Sequence, residues 1–152
     1  MRYIYLAGPI TDCNVAEAKD WRADISERLT HLGVVGVSPL RCEPLVTGTY
    51  QATYDNRMFG TAAAISGKNW FDTNRADIVL VYLPKSARLK KGLSIGTMFE
   101  VGWASALHKP IIVVTDDEKI QNHPLMQRHV NWILPNFEEA LEVIEGILSV
   151  YI

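Results

Sequence analysis

Ile78-Val79-Leu80-Val81-Tyr82-Leu83 is an unbroken apolar run, entered from Asp77 and closed by Pro84. Its length is that of a strand, and its lack of alternation means that both faces are covered. This is the pattern of a parallel sheet packed between helices. Ile111–Val114 repeats it downstream, Tyr3–Ala7 repeats it upstream and stops at Gly8-Pro9, and Val34–Val37 is a shorter fourth candidate. The intervening stretches carry helical stripes. Ala18, Trp21, Ile25, Leu29 and Leu32 follow a capping pair, Asn14 and Glu17, and end at Gly33. Phe137, Leu141, Ile144 and Leu148 follow Asn136 and Glu139 in the same way. Residues 38–67, punctuated by Pro39, Pro44, Gly48, Gly60 and Gly67, read as a long irregular insertion, either a functional loop region or a poorly read helix. The expectation is one α/β domain over residues 1–152. Its sheet is doubly wound, Rossmann-like or flavodoxin-like, with helices on both faces and ligands beyond the carboxyl ends of the strands.

Composition narrows the function. The chain has 152 residues, 48% hydrophobic and 21% charged, with a formal net charge of −2. Near neutrality argues against nucleic acid, whose binders need a basic surface to displace counterions. No apolar run approaches the roughly 18–20 residues that cross a bilayer. The start of the chain enters a strand with no signal-like stretch, and the two cysteines, Cys13 and Cys42, are too few for a disulfide framework. A cytoplasmic address and a small-molecule ligand are therefore expected. His31, His108, His123 and His129 lack ligand-like spacing, so neither a metal nor a cofactor is expected.

The strand ends hold the chemistry-bearing residues. After the first, Gly8 lets the backbone approach a ligand, and the following helix offers its free N–H groups. After the third, Phe99, Gly102, Trp103, Ala106 and Leu107 recur at helical spacing and predict a core-facing stripe. Glu100 then falls in the first turn of that helix, where Thr97-x-x-Glu100 reads either as a capping box or as an ionised carboxylate at the strand ends. Asp77 reads as a boundary residue. Asp72 reads as an exposed helix carboxylate unless it lies opposite Glu100, where two carboxyl groups could act at a sugar and its departing base. Trp70 and Phe71 could stack on a base or fill core.

In register, Tyr5-Leu6-Ala7-Gly8-Pro9, Phe71-Asp72-x-x-Arg75-x-Asp77, Ser94-x-Gly96-Thr97-x-x-Glu100-x-Gly102-x-Ala104 and His108-Lys109-Pro110 resemble the nucleoside 2-deoxyribosyltransferase family. That resemblance implies a double displacement at a deoxyribose anomeric carbon. Glu100 would be the nucleophile, Asp72 would handle the base and its proton, and Tyr5 would orient Glu100. Gly8, Pro9, Ile10, Ser94, Gly96, Thr97 and Trp70 would line the substrate, with Gly8, Gly96 and Gly102 allowing close approach. The sugar would pass to another nucleobase or to water. A homo-oligomer is implied, a neighbouring subunit completing the site, although no residue among Asn122, His123, Asn131 or the Tyr151-Ile152 tail can be assigned to it.

Ser94 departs from the nucleoside transferases, which usually carry aspartate there for the sugar 5′-hydroxyl. The related 2′-deoxynucleoside 5′-monophosphate N-hydrolases carry serine, and a hydroxyl can donate to a phosphate that a carboxylate would repel. The adjoining Lys85, Arg88, Lys90 and Lys91 read as a basic loop suited to that phosphate. The monophosphate is therefore placed slightly ahead of the free nucleoside. Gly96-Thr97-x-x-Glu100 also resembles the phosphoribohydrolases of ribonucleoside monophosphates, without their two preceding glycines. A nucleotide-binding domain that does no chemistry is the remaining alternative.

Overall fold

The computed structural model describes residues 1–40 and 57–149, so Cys42, Pro44, Gly48 and the Tyr151-Ile152 tail lie outside the described residues. Among these residues five strands form one parallel sheet: β1 (Arg2–Ala7), β2 (Val34–Val37), β3 (Ile78–Tyr82), β4 (Ile111–Val114) and β5 (Trp132–Leu134). Their order is β2-β1-β3-β4-β5. The chain leaves β1 toward one edge and returns to β3 on the other side of it. The gap between the carboxyl ends of β1 and β3 is therefore the topological switch point, where such sheets bind ligands.

Among the described residues, seven α-helices accompany the sheet: α1 (Val15–His31), α2 (Ala62–Arg75), α3 (Lys85–Lys91), α4 (Ile95–Ala106), α5 (Glu118–Gln121), α6 (Pro124–His129) and α7 (Phe137–Leu148). Alternation along β1 divides the core. Ile4 and Leu6 pack with Ile25 and Leu29 of α1 and Ala140 and Ile144 of α7. Tyr5 and Ala7 face the opposite layer with Val101 and Ala104 of α4. Both caps read from sequence form, Asn14 accepting from the Glu17 amide at 2.7 Å and Asn136 from that of Glu139 at 2.9 Å. Gly33 ends α1 with φ +72°, a conformation costly for other residues. Asp77 is the expected boundary residue, accepting from the Tyr3 amide and from Arg2.

Two expectations need correction, and a third is decided between its alternatives. Residues 38–67 are in part the poorly read helix: α2 is capped by Thr61, whose hydroxyl accepts from the Ala64 amide. It has little apolar stripe to announce it. The basic segment Lys85–Lys91 is helix α3, not a loop. The apolar stripe of α4 also turns one position from expectation: Thr97, Glu100, Val101 and Ala104 face inward, while Phe99 is 59% exposed. This helix is apolar nearly all round, so periodicity alone could not choose its inner face.

Candidate active site

Gly92, with φ +80°, ends α3, and Ser94 caps α4, accepting from the Thr97 amide at 3.4 Å and meeting its hydroxyl at 2.8 Å. Helix α4 thus opens with Ser94 and Thr97, and Glu100 lies in its second turn rather than its first. The capping reading of Glu100 fails for that reason. Its carboxylate instead accepts a hydrogen bond from the hydroxyl of Tyr5, which is fully buried on β1.

Burial governs the electrostatics. Glu100 is 6% exposed, and loss of solvent is the largest influence raising its carboxyl, to a pKa of about 7. The Tyr5 hydrogen bond and the charges of Arg22 and Lys68 pull it down, and the charge of Asp72 pushes it up. Tyr5 is raised well above the usual phenol range, chiefly by burial and then by Glu100, so it remains a donor at neutral pH. Asp72 is not the exposed carboxylate its sequence context suggests. It is fully buried on the inner face of α2, with Arg75 Nη2 3.3 Å from its Oδ1.

A cavity of about 460 Å³ opens at the switch point. One wall is the turn after β1, with Gly8, Pro9 and Ile10; a second is the start of α4, with Ser94, Gly96, Thr97 and Glu100. These sequence-selected residues come together. Tyr5 and Asp72 are covered, Tyr5 touching the cavity only through Glu100. Trp70 is not part of the lining: it stands on the outer side of α2, edge-on to Trp103 of α4 at 5.4 Å. A larger cavity of about 710 Å³ lies on the far side of α4. Its lining is mostly apolar, with the cations Arg88 and Lys119, His123, and Ser105 hydrogen-bonded to His129 at 3.0 Å, and it holds no carboxylate that could serve as the glycosyl nucleophile.

The four basic residues do not converge. A helical turn fans them apart, and acids on two segments hold three of them: Arg88 pairs with buried Asp117, and Glu17 of α1 lies 3.4 Å from Lys90 and 3.9 Å from Lys91. The backbone amide of Lys85 donates to Asp116. Lys91 alone joins the wall beside Ser94, its amine 2.9 Å from Cys13 Sγ. Gly8 is demanded by packing as much as by any ligand, because an added Cβ would stand 2.9 Å from the Tyr82 carbonyl and 3.0 Å from Trp21. Gly96 borders the cavity with open space around it, whereas Gly102 faces the larger cavity.

Sequence reasoning missed Ile65 and Asn69, which bring α2 to the cavity, and Asp12, which lines it in the left-handed region at φ +63°. It also missed Arg22, 2% exposed at the end of β1. Arg22 had a signature: Ala18, Arg22, Ile25 and Leu29 form the inward row of α1, and a charge within such a row is out of place. Among the described residues, no group of three His, Cys, Asp or Glu could hold a metal ion, and no helix is long and apolar enough to cross a membrane.

The family model described as nucleoside 2-deoxyribosyltransferase matches residues 4–143. A 2-deoxyribosyltransferase from Leishmania mexicana superposes with a TM-score of 0.66 at 21% identity, over 98% of this chain and 100% of that one. The 2-deoxyribosyltransferase of Bacillus psychrosaccharolyticus gives 0.64 at 16% identity, over 91% and 89% of the two chains. The CMP N-glycosidase BcmB of Clostridium botulinum gives 0.56 at 18% identity, over 95% and 99%. No curated protein sequence matches the chain significantly.

Proposed function

The chain belongs to the nucleoside 2-deoxyribosyltransferase family, and we propose that it cleaves the N-glycosidic bond of a 2′-deoxynucleoside 5′-monophosphate, or of the free nucleoside, through a covalent deoxyribosyl-Glu100 intermediate. The observation that carries this reading is the Tyr5–Glu100 pair, a buried carboxylate with a phenol donor at the wall of the switch-point cavity. A carboxyl with a pKa near 7 is ionised enough to attack at neutral pH and basic enough to form a bond worth having.

In the first step a Glu100 carboxylate oxygen bonds to C1′ as the C1′–N bond breaks, and the electron pair leaves with the base. The departing base takes up a proton, and the handling of that proton is assigned to Asp72, which lies one helical turn beyond the cavity residue Asn69 on α2. Tyr5 holds the carboxylate and stabilises its charge when the ester reopens. In the second step a nucleobase or water attacks C1′ and releases Glu100. The 5′-monophosphate is favoured over the nucleoside because Ser94, Lys91 and the free N–H groups that open α4 border one end of the cavity.

A homo-oligomer fits the surface. Phe71 and Phe99 are more than half exposed beside Trp70 on the outer sides of α2 and α4, and Leu93 and Ile95 stand exposed at the cavity rim. A neighbouring subunit would cover that face and close the site.

The deciding experiment incubates the protein with each deoxynucleoside and each 5′-monophosphate, with and without a second free base, and separates the products. Free base and exchanged nucleoside or nucleotide are expected, and Glu100→Gln is expected to abolish both. Binding without base release would instead favour a nucleotide-binding domain that does no chemistry.

A further inference from the structure

Arg22 leaves α1, which packs on the face of the sheet opposite α4, and ends at the carboxyl edge of β1. Its Nε donates to the Leu6 carbonyl at 3.1 Å and its Nη2 to the Gly8 carbonyl at 3.0 Å, while Nη1 donates to the Ala18 carbonyl. The guanidinium stacks 4.5 Å from the Trp21 ring centroid and is withdrawn from solvent. Leu6 and Gly8 bracket the strand end that carries Tyr5 on one side and the cavity wall on the other. Neutral donors could satisfy carbonyls there, yet a cation occupies the place despite the cost of burying it.

We propose that Arg22 is a positioning residue for glycosidic cleavage: it clamps the strand end that fixes Tyr5 and Gly8, and its charge sets the field in which Glu100 works. The proposal rests on the reading of Glu100 as nucleophile. The groups that act on that carboxylate are Tyr5 from β1, Arg22 from α1, and Lys68 and Asp72 from α2, with Lys91 of α3 in the same cavity. Lys68 is itself engaged by the Pro39 carbonyl at 2.8 Å and by Asn69. Arg22 favours the ionised form of both Glu100 and Tyr5. Clamp and charge are separable, because lysine keeps the charge but cannot send donors to three carbonyls in a fixed fork, and glutamine keeps donors without charge.

The test compares wild type, Arg22→Gln and Arg22→Lys by base release from deoxynucleoside 5′-monophosphates across pH, with thermal unfolding beside it. Arg22→Gln should move the acid limb of kcat/KM upward by roughly one pH unit, the scale of a lost neighbouring charge. Arg22→Lys should keep the limb and lose roughly 10- to 100-fold in kcat with little change in KM, as misplacement of reacting groups does. A merely structural arginine would lower the melting temperature and leave the acid limb unmoved. An unmoved limb in Arg22→Gln overturns the electrostatic role, and wild-type kcat in Arg22→Lys overturns the clamp. If Arg22→Gln does not fold, the kcat of Arg22→Lys decides. If wild type itself releases no base, the proposed function fails separately. The pH midpoint at which stability declines, measured against Glu100→Gln, must then still rise in Arg22→Gln, and an unmoved midpoint overturns the inference.

Discussion

Glu100→Gln should become progressively more stable than wild type as pH rises. The folded state raises this carboxyl from 4.5 to about 7, chiefly by burial. The folded protein therefore holds the Glu100 proton more tightly than the unfolded chain does. Between those two values the unfolded state ionises while the folded state resists, so wild-type stability falls with rising pH and the loss is complete above about pH 7. Each pH unit is worth about 1.4 kcal/mol, so the span amounts to about 3 kcal/mol. Glutamine keeps the shape and an acceptor for the Tyr5 hydroxyl but does not titrate. The difference in unfolding free energy, variant minus wild type, should grow by about 3 kcal/mol between pH 4 and pH 8, or roughly 6–12 °C in melting temperature for a chain of this length. Urea unfolding followed by tryptophan fluorescence at five or six pH values measures it, and the subtraction cancels every group the two proteins share. A difference that stays constant with pH would refute the buried, raised carboxylate. A difference of opposite slope would mean that Glu100 serves a helix terminus after all, because a capping carboxylate is depressed and stabilises at high pH.

Other outcomes follow from the same geometry. In base-release assays, kcat/KM should rise with pH on an acid limb near 7, where Glu100 ionises, and Tyr5→Phe, which removes a hydrogen bond to the carboxylate form, should move that limb upward. Ser94→Asp should lower the ratio of monophosphate to nucleoside turnover by roughly tenfold or more, the cost of setting a carboxylate against a phosphate, and an unchanged ratio would remove Ser94 from that end of the cavity. Gly8→Ala should cost about 1–3 kcal/mol in urea unfolding, since its Cβ meets the Tyr82 carbonyl and Trp21 with no room to yield. Phe99→Glu should shift light-scattering mass toward the monomer, and an unchanged oligomer would place the subunit contact elsewhere than on the outer face of α4.

The strands that read clearly are those whose physics leaves no choice. β3 and β4 are covered on both faces, so nearly every position is apolar; both bounds of β4 could be read directly, and β3 ends at Tyr82, one residue short of the apolar run. β5 went unseen because it is three residues long at the sheet edge and only half-buried, so Trp132-Ile133-Leu134 carries neither a long run nor an alternation. α2 was obscured by its Ala-, Gly- and Ser-containing first half, and only Asp72 and Thr73 of it are fully buried. The basic residues near Ser94 were legible as charge but not as geometry. Only three-dimensional placement reveals that Asp117 and Glu17 hold Arg88 and Lys90 while Lys91 joins the cavity.

Three helices each break their own rule at one place. α1 sets Arg22 in the row of Ala18, Ile25 and Leu29, and α4 sets Glu100 in the row of Thr97, Val101 and Ala104. α2 buries Asp72 beside Thr73. Any one of these would be an expensive fault in a core, because a charge withdrawn from water costs several kcal/mol unless it finds partners. All three act on Tyr5, the tyrosine that β1 buries completely in the core, and Arg22 and Asp72 act on Glu100 with opposite sign. A fold indifferent to chemistry would have no reason to bring these three buried charges to one strand end, whereas Asp117, the remaining buried acid among the described residues, is accounted for by the α5 cap and Arg88. The residues that sequence periodicity handles worst are therefore the ones that mark the site. Because Arg22 and Asp72 oppose each other at Glu100, neutralising both in Arg22→Gln/Asp72→Asn should return the pH midpoint at which stability declines, measured against Glu100→Gln in the same background, toward the wild-type position. A double variant whose midpoint stays where Arg22→Gln alone puts it would show that the two charges do not meet at Glu100.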